Sequence, residues 1–111
     1  MNKIAMSPAA SALLRILIAR ARVARDRILL MSVDSVDWRS LTFAGERHQI
    51  SLRATGAESR EAVDRMCDGL EDAEFSIPGL IVADIAIVGA PRRAFDGSTE
   101  ITIEALTIAD D

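Results

Sequence analysis

The chain has 111 residues, half of them hydrophobic, so one domain with a packed core is expected and general disorder is excluded. The formal net charge of −4 is uneven: residues 1–30 hold six basic groups and one acidic group (+5), and the other 81 hold seven basic and sixteen acidic groups (−9). An acidic body argues against a general nucleic-acid binder, and His48 and Cys67, the sole His and Cys, are too few for a structural zinc site or an internal disulfide.

Residues 1–6 read as a frayed end. Met1-Asn2-Lys3 before apolar residues hints at a signal or a span. Arg15 and Arg20 break the apolar stretch, and no small-residue cleavage site follows. The sequence therefore predicts a soluble protein without a membrane segment, and the lone Cys67 suits a reducing, cytoplasmic setting. Ser7-Pro8 predicts a helix start, with Ser7 as N-cap and Pro8 in the first turn. Leu13, Leu14, Leu17, Ala21 and Ala24 recur at helical spacing, which places this helix at about 8–26. Its arginines are expected to lie beside the acidic second helix rather than on an anionic partner.

Ile28–Val33 is apolar without a clear period and fits either a helix extension or a buried strand. Asp34-Ser35-Val36-Asp37 predicts a turn. Trp38–Ala44 alternates loosely, with Leu41 and Phe43 on one face. From Arg47 to Ala54 the alternation is clean: His48, Ile50, Leu52 and Ala54 face one way and Arg47, Gln49, Ser51 and Arg53 the other. Ala44-Gly45-Glu46 is the expected connection, with Gly45 free to take a positive φ. Thr55 and Glu58 have the spacing of a capping box, and a helix is expected from there to about Ala73. Its apolar stripe is Ala62, Met66, Leu70 and Ala73, with Val63 and Cys67 beside it. Phe75 and Ile77 are expected under the sheet, and Pro78-Gly79 turns the chain.

Two β-rich runs, Leu80–Val88 and Thr99–Leu106, flank Asp96-Gly97, the strongest short-range hairpin signal in the chain. A two-residue turn there pairs Phe95 with Ser98 and Arg93 with Glu100. Without interruption that register turns Ile101 and Ile103 away from Ile85 and Ile87. One extra residue in Gly89-Ala90-Pro91 would put Ile81, Ile85, Ile87, Ile101 and Ile103 on one face, so a β-bulge is predicted there. The whole reads as an α+β two-layer sandwich in αββαββ order, with two helices on one face of a four-stranded, mostly antiparallel sheet. In topology this resembles a circular permutation of the ferredoxin-like βαββαβ arrangement.

No motif in the chain names a chemistry. His48 is the natural proton carrier, but its alternation with Ile50 and Leu52 fits a satisfied histidine at the core edge better than a catalytic one. Cys67 sits among Asp64, Asp68 and Glu71, the wrong field for a thiolate nucleophile. Asp84 interrupts an apolar strand and, with the bulge, shares the outer sheet face with Ala86, Val88, Thr102, Glu104 and Leu106. Asp84 and Glu104 have no spacing diagnostic of a metal or of paired catalytic carboxylates, and the glycines form no phosphate loop. No cofactor is expected.

The leading expectation is therefore a non-enzymatic interaction module. It forms a homodimer, or meets another protein partner, through Trp38, Asp84, Ala86, Val88, Glu104 and Leu106, with Arg47 or Arg53 pairing the acids. The alternative is a small-molecule binding or regulatory domain holding an anionic ligand at Arg92 and Arg93, unless Arg93 is taken by Glu100. A small enzyme using His48 comes third.

Overall fold

A computed structural model describes residues 5–110. Of the end expected to fray, residues 1–4 lie outside the described residues. Helix α1 runs Pro8–Ala21, and the Ser7 hydroxyl accepts from the Ala10 N–H at 3.2 Å. Ala10, Leu13, Leu17 and Ala21 are buried along one stripe. The helix stops at Arg22, in the left-handed region at φ 57°, rather than near residue 26. Beyond Ala21 the apolar spacing offers only Ala24, which is exposed, so no burial sustains another turn.

Strands β1 (Ile28–Arg39) and β2 (Ala44–Ala54) form the first antiparallel hairpin. The ambiguous run Ile28–Val33 is strand. The turn expected at Asp34–Asp37 is also strand, and the reversal falls at Ser40–Phe43. There the Ser40 hydroxyl accepts from the Thr42 and Phe43 N–H groups at 3.4 and 3.0 Å. Asp34 and Asp37 are tolerated because β1 is a sheet edge and both side chains are exposed. Leu41 and Phe43 therefore sit at an exposed hairpin tip, not on a strand face. Gly45 lies inside β2 without a positive φ. Its smallness is needed because a Cβ would come within 1.9 Å of the Thr107 carbonyl oxygen on the neighbouring strand.

Helix α2 spans Ser59–Cys67. The expected capping box does not form, because Thr55 turns back: its N–H and hydroxyl donate to the Arg27 carbonyl at 2.8 and 3.3 Å. The helix ends before Ala73 at Gly69, φ +67°, and a 3₁₀ turn, Leu70–Asp72, keeps Leu70 on the buried stripe. Phe75 packs partly buried against the core, and Ile77 to Leu80 closes a turn with Gly79 at φ +74°.

Strands β3 (Leu80–Arg93) and β4 (Thr99–Ala109) complete an antiparallel sheet in the order β1-β2-β4-β3. Inside the Ala94–Ser98 hydrogen bond the tight loop holds three residues, 95–97, rather than two. Gly97, at φ +84°, donates to the Ala94 carbonyl and Ala94 to that of Ser98, so Arg93 pairs with Thr99 and Arg92 with Glu100. The bulge falls where expected, between Val88 and Arg92, but it adds two residues on β3. One extra residue in the loop and two in the bulge make an odd shift, so Ile85 and Ile87 share the helix-covered face with Ile101 and Ile103. A second bulge at Ala83 turns Ile81 out opposite Ile108, 44% exposed, and Val82 takes the inner position.

Both helices cover this one face. Leu13, Leu17, Met66 and Leu70 close over Ile50, Leu52, Ile101 and Ile103, each at most 3% exposed. Arg20 of α1 meets backbone carbonyls of the second helix segment rather than its acidic side chains. Arg20 Nε donates to the Met66 carbonyl at 2.9 Å, and another of its nitrogens donates to that of Asp68. Arg65 Nε of α2 returns the contact to the Ala21 carbonyl at 2.9 Å. Each helix thus caps the other's last carbonyls, groups that have no partner within their own helix.

Candidate functional site

The opposite face of the sheet carries no helix among the described residues. Its side chains form ranks across the four strands, read from the cross-strand pairs. The rank nearest the β1–β2 turn is Trp38, Gly45, Ile108 and Ile81. Next come Val36, Arg47, Leu106 and Asp84, then Asp34, Gln49, Glu104 and Ala86. The far ranks hold Ser51, Thr102 and Val88, then Leu29, Arg53, Glu100 and Arg92. Trp38, Asp84, Ala86, Val88, Glu104 and Leu106 therefore do share one surface. Sequence reading missed Val36 and Ile81, because the turn assigned to 34–37 and the unseen bulge at Ala83 hid their direction, and Ile108, because the last strand was expected to end at Leu106 and runs on to Ala109.

Charge on this face is sorted by strand. Outward charges on β2 are Arg47 and Arg53, and those on β4 are Glu100 and Glu104. Glu100 accepts from Arg53 at 2.6 Å and from Arg92 at 2.8 Å. The two guanidinium groups, Arg92 foremost, hold its carboxyl below the usual carboxylate range. Among the described residues, Arg47, Asp84 and Glu104 make no ion pair, so Arg53 is matched with Glu100 rather than with either acid. A shallow hollow of about 210 Å³ lies among Asp34, Val36, Arg47, Gln49 and Glu104. Arg92 is committed to Glu100, while Arg93, opposite Thr99, leaves the strand on the other side, so the two do not converge on one ligand.

His48 is 1% exposed on the helix-covered side. Its Nδ1 lies 2.7 Å from the Ser35 hydroxyl and its Nε2 lies 2.8 Å from the Thr107 hydroxyl, which donates on to the Glu46 carbonyl at 3.4 Å. That direction assigns Nε2–H as donor and the Ser35 hydroxyl as donor to Nδ1. Burial pushes the imidazole pKa below its ordinary value, with Glu46 opposing. A serine on an imidazole is the germ of a nucleophile–base pair, but here the far nitrogen meets a threonine hydroxyl where a triad places a carboxylate. Burial first, then Asp64, raises the Cys67 thiol, which keeps it protonated. Among the described residues no group of three or more His, Cys, Asp or Glu side chains is placed to hold a metal ion. No helix among them is long and apolar enough to cross a membrane.

No protein-family profile matches the sequence, and no curated protein matches it.

Proposed function

We propose that the protein is a non-enzymatic assembly module that forms a homodimer through the uncovered face of its sheet. The observation that carries this reading is the apolar end of that face, where Trp38, Ile108 and Ile81 form one rank and Val36 and Leu106 stand in the next. Val36 is 61% exposed. Four strands about 4.8 Å apart and about eleven residues long present roughly 700 Å² per copy, or about 1,400 Å² per pair, which falls in the range of stable interfaces. The β3 edge is a poorer route, since the Glu71 carboxylate accepts from the Ile87 N–H at 3.1 Å and two bulges break that strand. An anion at Arg92 would have to displace Glu100, which makes ligand binding there the weaker reading. The strand order supports a permuted ferredoxin-like topology: moving β4 to the front of the chain gives βαββαβ, with that strand in the middle of the sheet. The lone Cys67 suits a cytoplasmic setting.

Light scattering across a concentration series tests the proposal. The expected mass is twice the 12.0 kDa of one chain, falling to one chain mass in Ile108→Glu, which sets a charge in the apolar rank. One chain mass for the wild type at every concentration would overturn it.

A further inference from the structure

We infer that the two copies meet about a two-fold axis that runs along the strands between β2 and β4, with Arg47 of each copy set between Glu104 and Asp84 of the other. The inference rests on the dimer reading above. A symmetric pair of packed sheets with roughly aligned strands has two choices of axis. An axis across the strands lays each strand over its own copy. That would put the basic strand β2 on β2 and the acidic strand β4 on β4, like against like along the centre of the interface. An axis along the strands exchanges β2 with β4, and the arginine strand of one copy then lies over the glutamate strand of the other.

The ranks agree with the second choice. The same operation lays Ile108 over the partner's Gly45, which has no side chain to clash, and Trp38 over the partner's Ile81. Arg47 lands on the partner's Leu106. The partner's Glu104 is then one rank along the strand, about 7 Å away at two residues' rise, and within reach of a guanidinium. The partner's Asp84 stands one strand to the side, about 4.8 Å away. Arg47, Glu104, Asp84 and Asp34 are the charged face residues of the second and third ranks, and among the described residues none is in an ion pair; Asp34, the fourth, lands on the partner's Ala86 at the edge of the cluster. Arg53 and Glu100, already bonded to each other, meet their counterparts reversed, arginine over glutamate.

The test is a charge exchange between chains. Arg47→Glu and Glu104→Arg, each alone, set like charges at both copies of the contact and are expected to weaken the dimer about tenfold or more. Mixed in equal amounts, the two variants restore opposite charges at both contacts. At one, the acid introduced at position 47 faces the base introduced at position 104; at the other, the native Arg47 faces the native Glu104. Hetero-pairs with wild-type affinity are therefore expected by light scattering. An effect confined to one chain would not respond to mixing. Thermal midpoints confirm that each variant folds, and Arg47→Gln, with a smaller loss, serves if Arg47→Glu does not. Failure of the mixture to recover, in a protein that Ile108→Glu still dissociates, overturns the axis and leaves the dimer standing. A wild type that is one chain at all concentrations overturns both.

Discussion

Gly45→Ala should cost this protein far more than an added methyl group ordinarily costs in a strand. The new Cβ would lie 1.9 Å from the Thr107 carbonyl oxygen, 2.9 Å from its carbon and 3.0 Å from Ile108 Cα. All three are backbone atoms of a central strand, so no side chain can swing away. Ordinary contact needs about 3.4 Å, and opening β2 from β4 by the difference breaks the ladder at Gly45 and Ile108. It also pulls on Thr107, whose hydroxyl holds His48 at 2.8 Å. Overpacking of about 1–3 kcal/mol and one strained hydrogen bond of about 1 kcal/mol sum to roughly 2–4 kcal/mol. That is a large share of the roughly 5–15 kcal/mol typical of a domain. Urea unfolding of the variant against wild type measures it. Gly69→Ala is the control, since its Cβ meets nothing within 4 Å and only the positive φ of 67° is strained, at about 1–2 kcal/mol. Equal losses at the two glycines would refute the clash argument.

His48 prefers to be neutral in the fold, so its folded pKa lies below its unfolded one. The stability it contributes is present above the unfolded value near 6.5, and it is lost as pH falls towards the folded value, at no more than about 1.4 kcal/mol per pH unit for one proton. Unfolding between about pH 7.5 and 5.5 should show this slope in wild type and not in His48→Gln; the same slope in both would assign it to other groups. Met66→Ala empties a site on α2 that is 0% exposed in the core and should cost about 2–5 kcal/mol by chemical unfolding. Asp96→Ala removes the acceptor of the Ser98 N–H at 3.0 Å and hydroxyl at 2.6 Å. It should lower the thermal midpoint at neutral pH and less in acid, because those bonds hold the Asp96 carboxyl below its ordinary pKa and their stabilisation is lost as pH falls through it.

Legibility followed how local each cause is. The Ser7 cap and the β2 alternation depend on near neighbours in sequence, and both can be read from the chain. So can the bulge at Gly89–Pro91, because a proline without an N–H and a glycine must interrupt a ladder somewhere. The extent of β1 could not be read, since Asp34-Ser35-Val36-Asp37 has turn chemistry and becomes strand only through pairing with β2 and exposure at a sheet edge. The capping box failed for a similar reason: Thr55 is drawn to the Arg27 carbonyl, a partner 28 residues away. On the candidate surface, Asp84, Glu104 and Leu106 are legible by parity from one bulge. Ile81 is not, because the bulge at Ala83 carries no glycine or proline to announce it.

In the proposed dimer the apolar end and the charges do different work. An exposed ion pair contributes about 0–1 kcal/mol, so two Arg47–Glu104 contacts could not hold the copies together alone. Burial of Val36, Trp38, Leu106 and Ile108 would supply most of the affinity, while like charges set against one another exclude the crossed arrangement. These roles separate with salt. At about 1 M the screening length falls to about 3 Å, and charge discrimination should fade while apolar association persists. Arg47→Glu should then dimerise nearly as well as wild type in high salt and poorly in low salt, whereas Ile108→Glu, which buries a charge in the rank of Trp38 and Ile81, should remain one chain in both. Recovery of Ile108→Glu by salt, or none for Arg47→Glu, would break this division between the two parts of the face.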